Sequence, residues 1–271
     1  MDLASNFAEL TEALSTGGSL ILLTDYDGSL TPVVGHPPLA RLPNGVRADL
    51  RSLARSPRVR VGVISGRGLE DLRRQVGLPK LIYAGCHGLE VGGRRLRFQH
   101  PEAEAQRGAL EALVGPLAQG TSAIGGVLIE PKGLAVAVHY REVAANEVPV
   151  LEILVRQIVD RVAARRAGTR LKVIGGDHAF EILPDVGWGK GECAQWIWRR
   201  VAPGLRRPVV LLYMGDDWTD ELVFQALTGK AITVRVGSGE EPTTARYRLP
   251  DVNHVLRLVS ALAEEVGDRA G

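Results

Sequence analysis

The segment that most restricts how this chain can fold is 20–32, Leu-Ile-Leu-Leu-Thr-Asp-Tyr-Asp-Gly-Ser-Leu-Thr-Pro. Four branched apolar residues in succession leave no polar face, so the strand they predict is buried on both sides, as in a parallel sheet covered by helices. The run stops at a polar cluster with Gly28 and Pro32, the pattern of a strand entering a loop. Side chains alternate along a strand, so Asp25 and Asp27 share a face if the extended chain continues to Asp27. Two carboxylates then stand at the carboxyl end of a central strand, where open α/β sheets build their sites. Asp27-Gly28 is equally a common turn dipeptide, and the segment alone leaves both readings open.

The rest of the chain supplies the neighbours such a strand needs. A helix over 7–15 ends at Gly17-Gly18; after a polar, Pro-rich passage to Pro43, a helix over 45–55 follows with Asn44 as its cap. A β-branched run over 59–64 stops at Ser65-Gly66-Arg67-Gly68, and Leu69, Leu72 and Val76 share one face of a helix over 68–76. A strand at 81–84 leads through Gly85-Cys86-His87-Gly88-Leu89-Glu90 into a hairpin about Gly92-Gly93. From Pro101 the order changes to a helix over 102–119, strands over 126–130 and 134–140, a helix over 148–167, and strands over 171–174 and 179–183. Helix-strand-strand twice over is an α+β unit set between alternating segments. Alternation resumes with a helix over 190–200, a strand over 209–214, an acidic loop, a helix over 222–226, a strand over 232–236 and a helix over 252–266. The fold class expected is α/β, a Rossmann-like three-layer core with an inserted α+β cap domain. The core takes 1–101 and 186–271 and the cap 102–185.

Composition excludes several functions. Lys and Arg total 33 against 31 Asp and Glu, a net +2, so no overall field draws the chain to nucleic acid or an anionic membrane. Short basic clusters such as Arg94-Arg95-Leu96-Arg97 and Arg165-Arg166 are read as solvated surface. Cys86 and Cys193 are too few for a disulfide scaffold or a cysteine zinc site, and suit a reducing cytoplasm. Residues 1–18 lack the basic start and apolar centre of a secretory signal, and no apolar run approaches the roughly 20 residues that span a bilayer.

The strand over 209–214 also ends in acids, Asp216 and Asp217, so two strands from opposite ends of the chain each finish in an acidic pair. Converging at one sheet edge, these carboxylates repel one another by several kcal/mol unless a cation is present. Few oxygen ligands with room for water suit Mg²⁺ better than zinc. Lys190, in Gly187-Trp188-Gly189-Lys190-Gly191, is not a nucleotide P-loop lysine, because Pro184 stands where the first glycine belongs and Gly191 where Ser or Thr belongs. One lysine at a helix start is usually surface; beside an acidic site it becomes a partner for phosphate oxygens.

Taken together, Asp25-Tyr26-Asp27-Gly28-Ser29-Leu30-Thr31-Pro32, Ile64-Ser65-Gly66-Arg67, Lys190 and Gly215-Asp216-Asp217-Trp218-Thr219-Asp220-Glu221 resemble the four ordered motifs of haloacid dehalogenase-like phosphatases. Within that superfamily the chain is similar to trehalose-6-phosphate phosphatases, through Gly85-Cys86-His87-Gly88-Leu89-Glu90, Glu130-Pro131-Lys132, His139-Tyr140-Arg141, Glu181 and Thr244-Ala245-Arg246-Tyr247-Arg248-Leu249. Ser29 stands where Thr is frequent and keeps the hydroxyl. The resemblance implies Asp25 as nucleophile, Asp27 as acid and base, Ser65 and Lys190 on phosphoryl oxygens, and Mg²⁺ held by Asp25, the Asp27 carbonyl and Asp216. Asp217 would position Lys190 or a water, and Asp220 would orient a neighbour or cap a helix. Arg67, His87, Glu130, Lys132 and Glu181 would take the sugar, while His139 and Arg141 are set aside as structural. The implied substrate is a small sugar phosphate, with a trehalose-phosphate synthase of the same pathway as partner. Phosphatases of other sugar phosphates, or a non-catalytic binding subunit, are the alternatives; the presence of Asp25, Asp27, Lys190 and Asp216 favours catalysis.

Overall fold

The computed structural model describes residues 7–34 and 40–267. The expectations for the first six residues, and for part of the Pro-rich passage, fall outside them. Helix α1 (Ala8–Ser15) leads into β1 (Ser19–Thr24), whose six residues are all buried. Then come α2 (Asn44–Arg55), β2 (Val59–Ile64), α3 (Leu69–Val76), β3 (Ile82–Gly85), β4 (Glu90–Gly93) and β5 (Leu96–Gln99). The chain leaves this sheet through α4 (Pro101–Glu104), α5 (Arg107–Gly120), β6 (Leu128–Pro131), β7 (Val136–His139), α6 (Val148–Ala164), β8 (Leu171–Gly176) and β9 (Ala179–Pro184). It returns with α7 (Lys190–Val201), β10 (Val209–Gly215), α8 (Trp218–Ala226), β11 (Ile232–Val236), β12 (Tyr247–Leu249) and α9 (Val252–Gly267).

The large sheet runs β12-β11-β10-β1-β2-β3-β4-β5, parallel from β12 to β3 and antiparallel beyond. Strand β1 is central, with Leu20 opposite Val59 of β2 and Val210 of β10. Its side chains alternate: Leu20 and Leu22 pack with α1, α2, α3 and α9, and Ile21 and Leu23 with α7 and α8. This is the doubly covered parallel strand that an uninterrupted apolar run demands. The second sheet, β6-β7-β9-β8, is antiparallel and covered on one face by α5 and α6. The fold is the expected α/β core with an α+β insertion.

Local differences have local causes. The helix expected over 102–119 is two, because Gln106 leaves helical geometry and its side-chain oxygen accepts the Arg170 backbone N–H at 2.9 Å. Asn44 caps nothing; Pro43 flanks the helix, and its carbonyl accepts from Arg47 at 3.0 Å. The helix expected over 222–226 starts at Trp218, so most of the acidic loop is its cap and first turn. Strand β12, three residues long, carries no pattern of its own and forms by pairing with β11.

Leu22 is fully buried on the central strand. Leu22→Ala is expected to lower unfolding free energy by about 2–5 kcal/mol in urea titration, whereas a loss below about 1 kcal/mol would contradict a close-packed site.

Candidate active site

The carboxyl ends of β1, β2 and β10 meet beneath the insertion. Asp25 follows β1 directly, its N–H donates to the Met214 carbonyl at 2.9 Å, and its side chain is almost wholly buried. Extension stops there. The Leu30 and Thr31 amides both donate to the Tyr26 carbonyl, and Gly28 sits at φ +81°, where a Cβ would collide with the Asp216 carboxylate. Of the two readings of Asp27-Gly28, the turn is therefore correct, yet the turn itself brings Asp27 to the site. Arg67 closes a planar fork on it, Nε to Oδ2 and Nη2 to Oδ1, both at 2.7 Å, with Nη1 on Asp71 at 2.9 Å.

Lys190 opens α7 and is 3% exposed. Its Nζ donates to Asp25 Oδ1 at 3.0 Å and Asp220 Oδ1 at 2.9 Å and lies 3.8 Å from Asp217 Oδ1. Burial alone would lower its pKa; Asp217, Asp220 and Asp25 instead raise it well above the ordinary value. Burial, with the like charges of Asp220, Asp216 and Asp217, pushes Asp25 up despite Lys190, and burial with Asp220 and Asp217 pushes Asp216 up to about 8. Four carboxylates thus face one ammonium.

A cation relieves such a site, and the donors fit one. Carboxylate oxygens of Asp25, Asp216 and Asp220 all lie within 4.8 Å of one another. They are not equivalent. Asp220 is spent, because Oδ1 accepts from Lys190 and from the Tyr213 hydroxyl at 2.6 Å, and Oδ2 from the Asp216 and Asp217 amides at 3.0 and 3.2 Å. Asp216 accepts only the Ser29 hydroxyl, at 3.1 Å, among the described residues. Asp25 and Asp216 are therefore the carboxylates with coordination capacity for a hard cation, and Asp220 orients Lys190. Asp217 is the N-cap of α8, accepting from the Thr219 and Asp220 amides at 2.8 and 3.1 Å in a capping box with Asp220.

The opposite wall comes from the small sheet. The register places Glu130 and Glu181 opposite Ala137, and His139 is two residues along the same face. The other face carries Val136, Val138, Phe180 and Ile182 against α5 and α6. Glu181 bonds His87 through Oε2 and Lys132 Nζ through Oε1, the latter at 2.6 Å. Burial would raise Glu181, but Lys132 and His87 hold it far below the usual carboxylate range. Glu130 bonds His139 at 2.7 Å and lies 3.9 Å from Lys132.

A cavity of about 430 Å³ separates the walls, within the range of small-molecule sites. Every residue given a catalytic, metal or sugar role by the resemblance lines it except Asp220, which lies behind Lys190. Arg67, expected on the sugar, is engaged with Asp27 and Asp71. His139 and Arg141, set aside as structural, also line the cavity, and Arg141 pairs with Asp177. Strand parity with Glu130 is the signal that marks His139; Asp177, in a turn, offers none.

Acidic pairs ending two adjacent parallel strands, a buried lysine between them and an α+β insertion above place the chain in the haloacid dehalogenase-like class. Comparison narrows this. The family model for trehalose-phosphatase matches residues 23–253. The trehalose-phosphate phosphatase of Mycobacterium ulcerans is 34% identical over 96% of this chain and 68% of its own length. A glycosyl hydrolase of Mycobacterium tuberculosis, itself uncharacterized, is 38% identical over 92% of this chain, which spans about a fifth (19%) of that protein. The C-terminal domain of Candida albicans trehalose-6-phosphate phosphatase superposes with TM-score 0.79 at 23% identity, covering 95% of this chain and 96% of that one. The chain belongs to the trehalose-phosphatase family.

Burial would raise Asp217, but Lys190 and the Thr219 hydroxyl hold it at about 2 against an ordinary 3.8. A depressed carboxylate contributes stability above its unfolded pKa and loses it as pH falls through the folded one. The stability difference between wild type and Asp217→Asn is expected to be constant above about pH 5 and to shrink between about 4 and 2, followed by chemical denaturation at each pH. A pH-independent difference would mean that capping geometry, which Asn preserves, is all that Asp217 supplies.

Proposed function

We propose that the chain is a Mg²⁺-dependent phosphatase that hydrolyses trehalose 6-phosphate to trehalose and phosphate through an aspartyl-phosphate on Asp25. The observation that supports this best is the single cavity with unlike walls: Asp25, Lys190 and Asp216 below, and the Glu130, Lys132 and Glu181 ion network above. The lower wall suits a phosphoryl group and the upper one a hydroxyl-rich body that exchanges hydrogen bonds with charged groups. In this reading residues 102–185 form the cap that carries the sugar-side groups, and a trehalose-phosphate synthase in the same cytoplasm supplies the substrate.

Asp25 attacks phosphorus, the bond from phosphorus to the sugar oxygen breaks, and that oxygen takes a proton from Asp27. Water then attacks the aspartyl-phosphate, gives its proton to Asp27 and releases phosphate, regenerating Asp25. Lys190 has three N–H donors, two of them on Asp25 and Asp220, so one is left for a phosphoryl oxygen beside the Ser65 hydroxyl. Mg²⁺ held by Asp25, Asp216 and the Asp27 carbonyl would supply the charge neutralisation that lets a carboxylate approach an anionic ester. Arg67 covers both Asp27 oxygens in the free protein, so its move to the sugar would uncover Asp27 for proton transfer.

Asp25→Asn is expected to lower turnover more than about a hundred-fold, ~2.7 kcal/mol of barrier, in a phosphate-release assay. Retention of a tenth of the activity would remove the covalent role. EDTA is expected to abolish activity and Mg²⁺ to restore it, while Ca²⁺, with its looser shell, does not. Glu130→Ala and Lys132→Ala should each reduce kcat/KM for trehalose 6-phosphate about ten- to a hundred-fold and leave p-nitrophenyl phosphate nearly untouched. Lys190→Ala should damage both, and a screen over other sugar phosphates decides among related substrates.

A further inference from the structure

The insertion is tied to the core on both sides of Asp25, and the ties are unequal. Toward β3 and β4, Cys86 Sγ donates to the Lys132 carbonyl at 2.9 Å, Lys132 Nζ to the Gly66 carbonyl at 3.5 Å, and His87 bonds Glu181. An apolar cluster that includes Cys86, Leu89, Leu134 and Leu183 seals the same side. Beyond β10, the tie among the described residues is one hydrogen bond: Trp218 Nε1 donates to the Gly175 carbonyl at 2.8 Å. The order β10-β1-β2-β3 sets Asp25 between the two.

Trp218 is the first residue of α8, held by the Asp217 capping box, and Gly175 lies beside the exposed turn of the β8–β9 hairpin. Trp218 is 47% exposed, a poor state for a residue with a large apolar ring, and its indole N–H bond is the polar contact that holds it against the insertion.

We infer that Trp218 is a positioning residue, its indole N–H the clasp that holds the free edge of the insertion over the phosphoryl site while the β3–β4 side acts as hinge. The inference rests on the proposed function for its substrate. One hydrogen bond shifts an open–closed equilibrium about two- to tenfold, enough to favour closure over a substrate and weak enough to release product each cycle. A substrate that touches both walls needs the closed state; a small aryl phosphate does not.

Trp218→Phe keeps an aromatic ring and deletes the donor. In the free protein, amide hydrogen exchange at 175–178 is expected to quicken about two- to tenfold with β1 amides unchanged. KM for trehalose 6-phosphate is expected to rise by a similar factor with kcat nearly constant, and p-nitrophenyl phosphate kinetics to change less than about twofold. Unchanged exchange at the hairpin overturns the clasp, as does faster exchange spread through β1 with equal losses on both substrates. If trehalose 6-phosphate proves not to be a substrate, the functional reading fails and the exchange measurement still decides the clasp.

Discussion

The structure depends on one buried ammonium. Lys190 comes from the first turn of α7, yet its Nζ is the common partner of Asp25 at the end of β1 and Asp220 in α8. Removing one partner of a buried pair costs about 3–5 kcal/mol because the other charge is left uncompensated. Lys190 therefore holds two segments nearly two hundred residues apart in one geometry. It does not neutralise them: Asp25 and Asp216 are both raised by burial and by neighbouring carboxylates. Raised carboxylates hold protons where a cation could sit, so the excess of carboxylates over ammonium leaves the site receptive to a positive partner.

The small sheet repeats the arrangement with opposite emphasis. Its period-two alternation sends Val136, Val138, Phe180 and Ile182 to the helices and Glu130, His139 and Glu181 to the cavity. Lys132 plays the part of Lys190, a buried ammonium whose pKa burial would depress but Glu181 and Glu130 raise. Here the carboxylates are filled by hydrogen bonds: Glu181 is satisfied by Lys132 and His87, and Glu130 by His139. One wall thus leaves carboxylate capacity open to a cation, and the other has its carboxylates already bonded.

Much of this was legible in the sequence, for a physical reason. A doubly buried strand cannot be disguised, so 20–23 and 209–214 located the sheet, and acids after two such strands, each of which alone could be a turn or cap, pointed together to one sheet edge. The order change at Pro101 exposed the insertion. What stayed hidden depends on contacts distant in sequence. The Arg67–Asp27 fork joins residues 40 apart, and the division of labour between Asp216 and Asp220, carried in the sequence only by the resemblance, has its physical reason in Tyr213 and Lys190, which fill one Asp220 oxygen. Trp218 and Gly175, 43 residues apart, meet only because the insertion folds back over β10.

The hydrogen-bonded upper wall also bears on selectivity. Both Glu181 oxygens are already bonded, and Lys132 already donates to one of them, so a ligand gains nothing by adding contacts to idle groups. It must replace bonds. An apolar ligand displacing Lys132 or His87 would leave buried charge unpaired, at a cost of several kcal/mol. A hydroxyl both donates and accepts, so it can insert into a carboxylate–ammonium pair and return one bond to each side. In the proposed reading this exchange is nearly neutral for a body carrying many hydroxyls and unfavourable for anything else of its size, so discrimination arises from the penalty on wrong ligands more than from attraction to the right one.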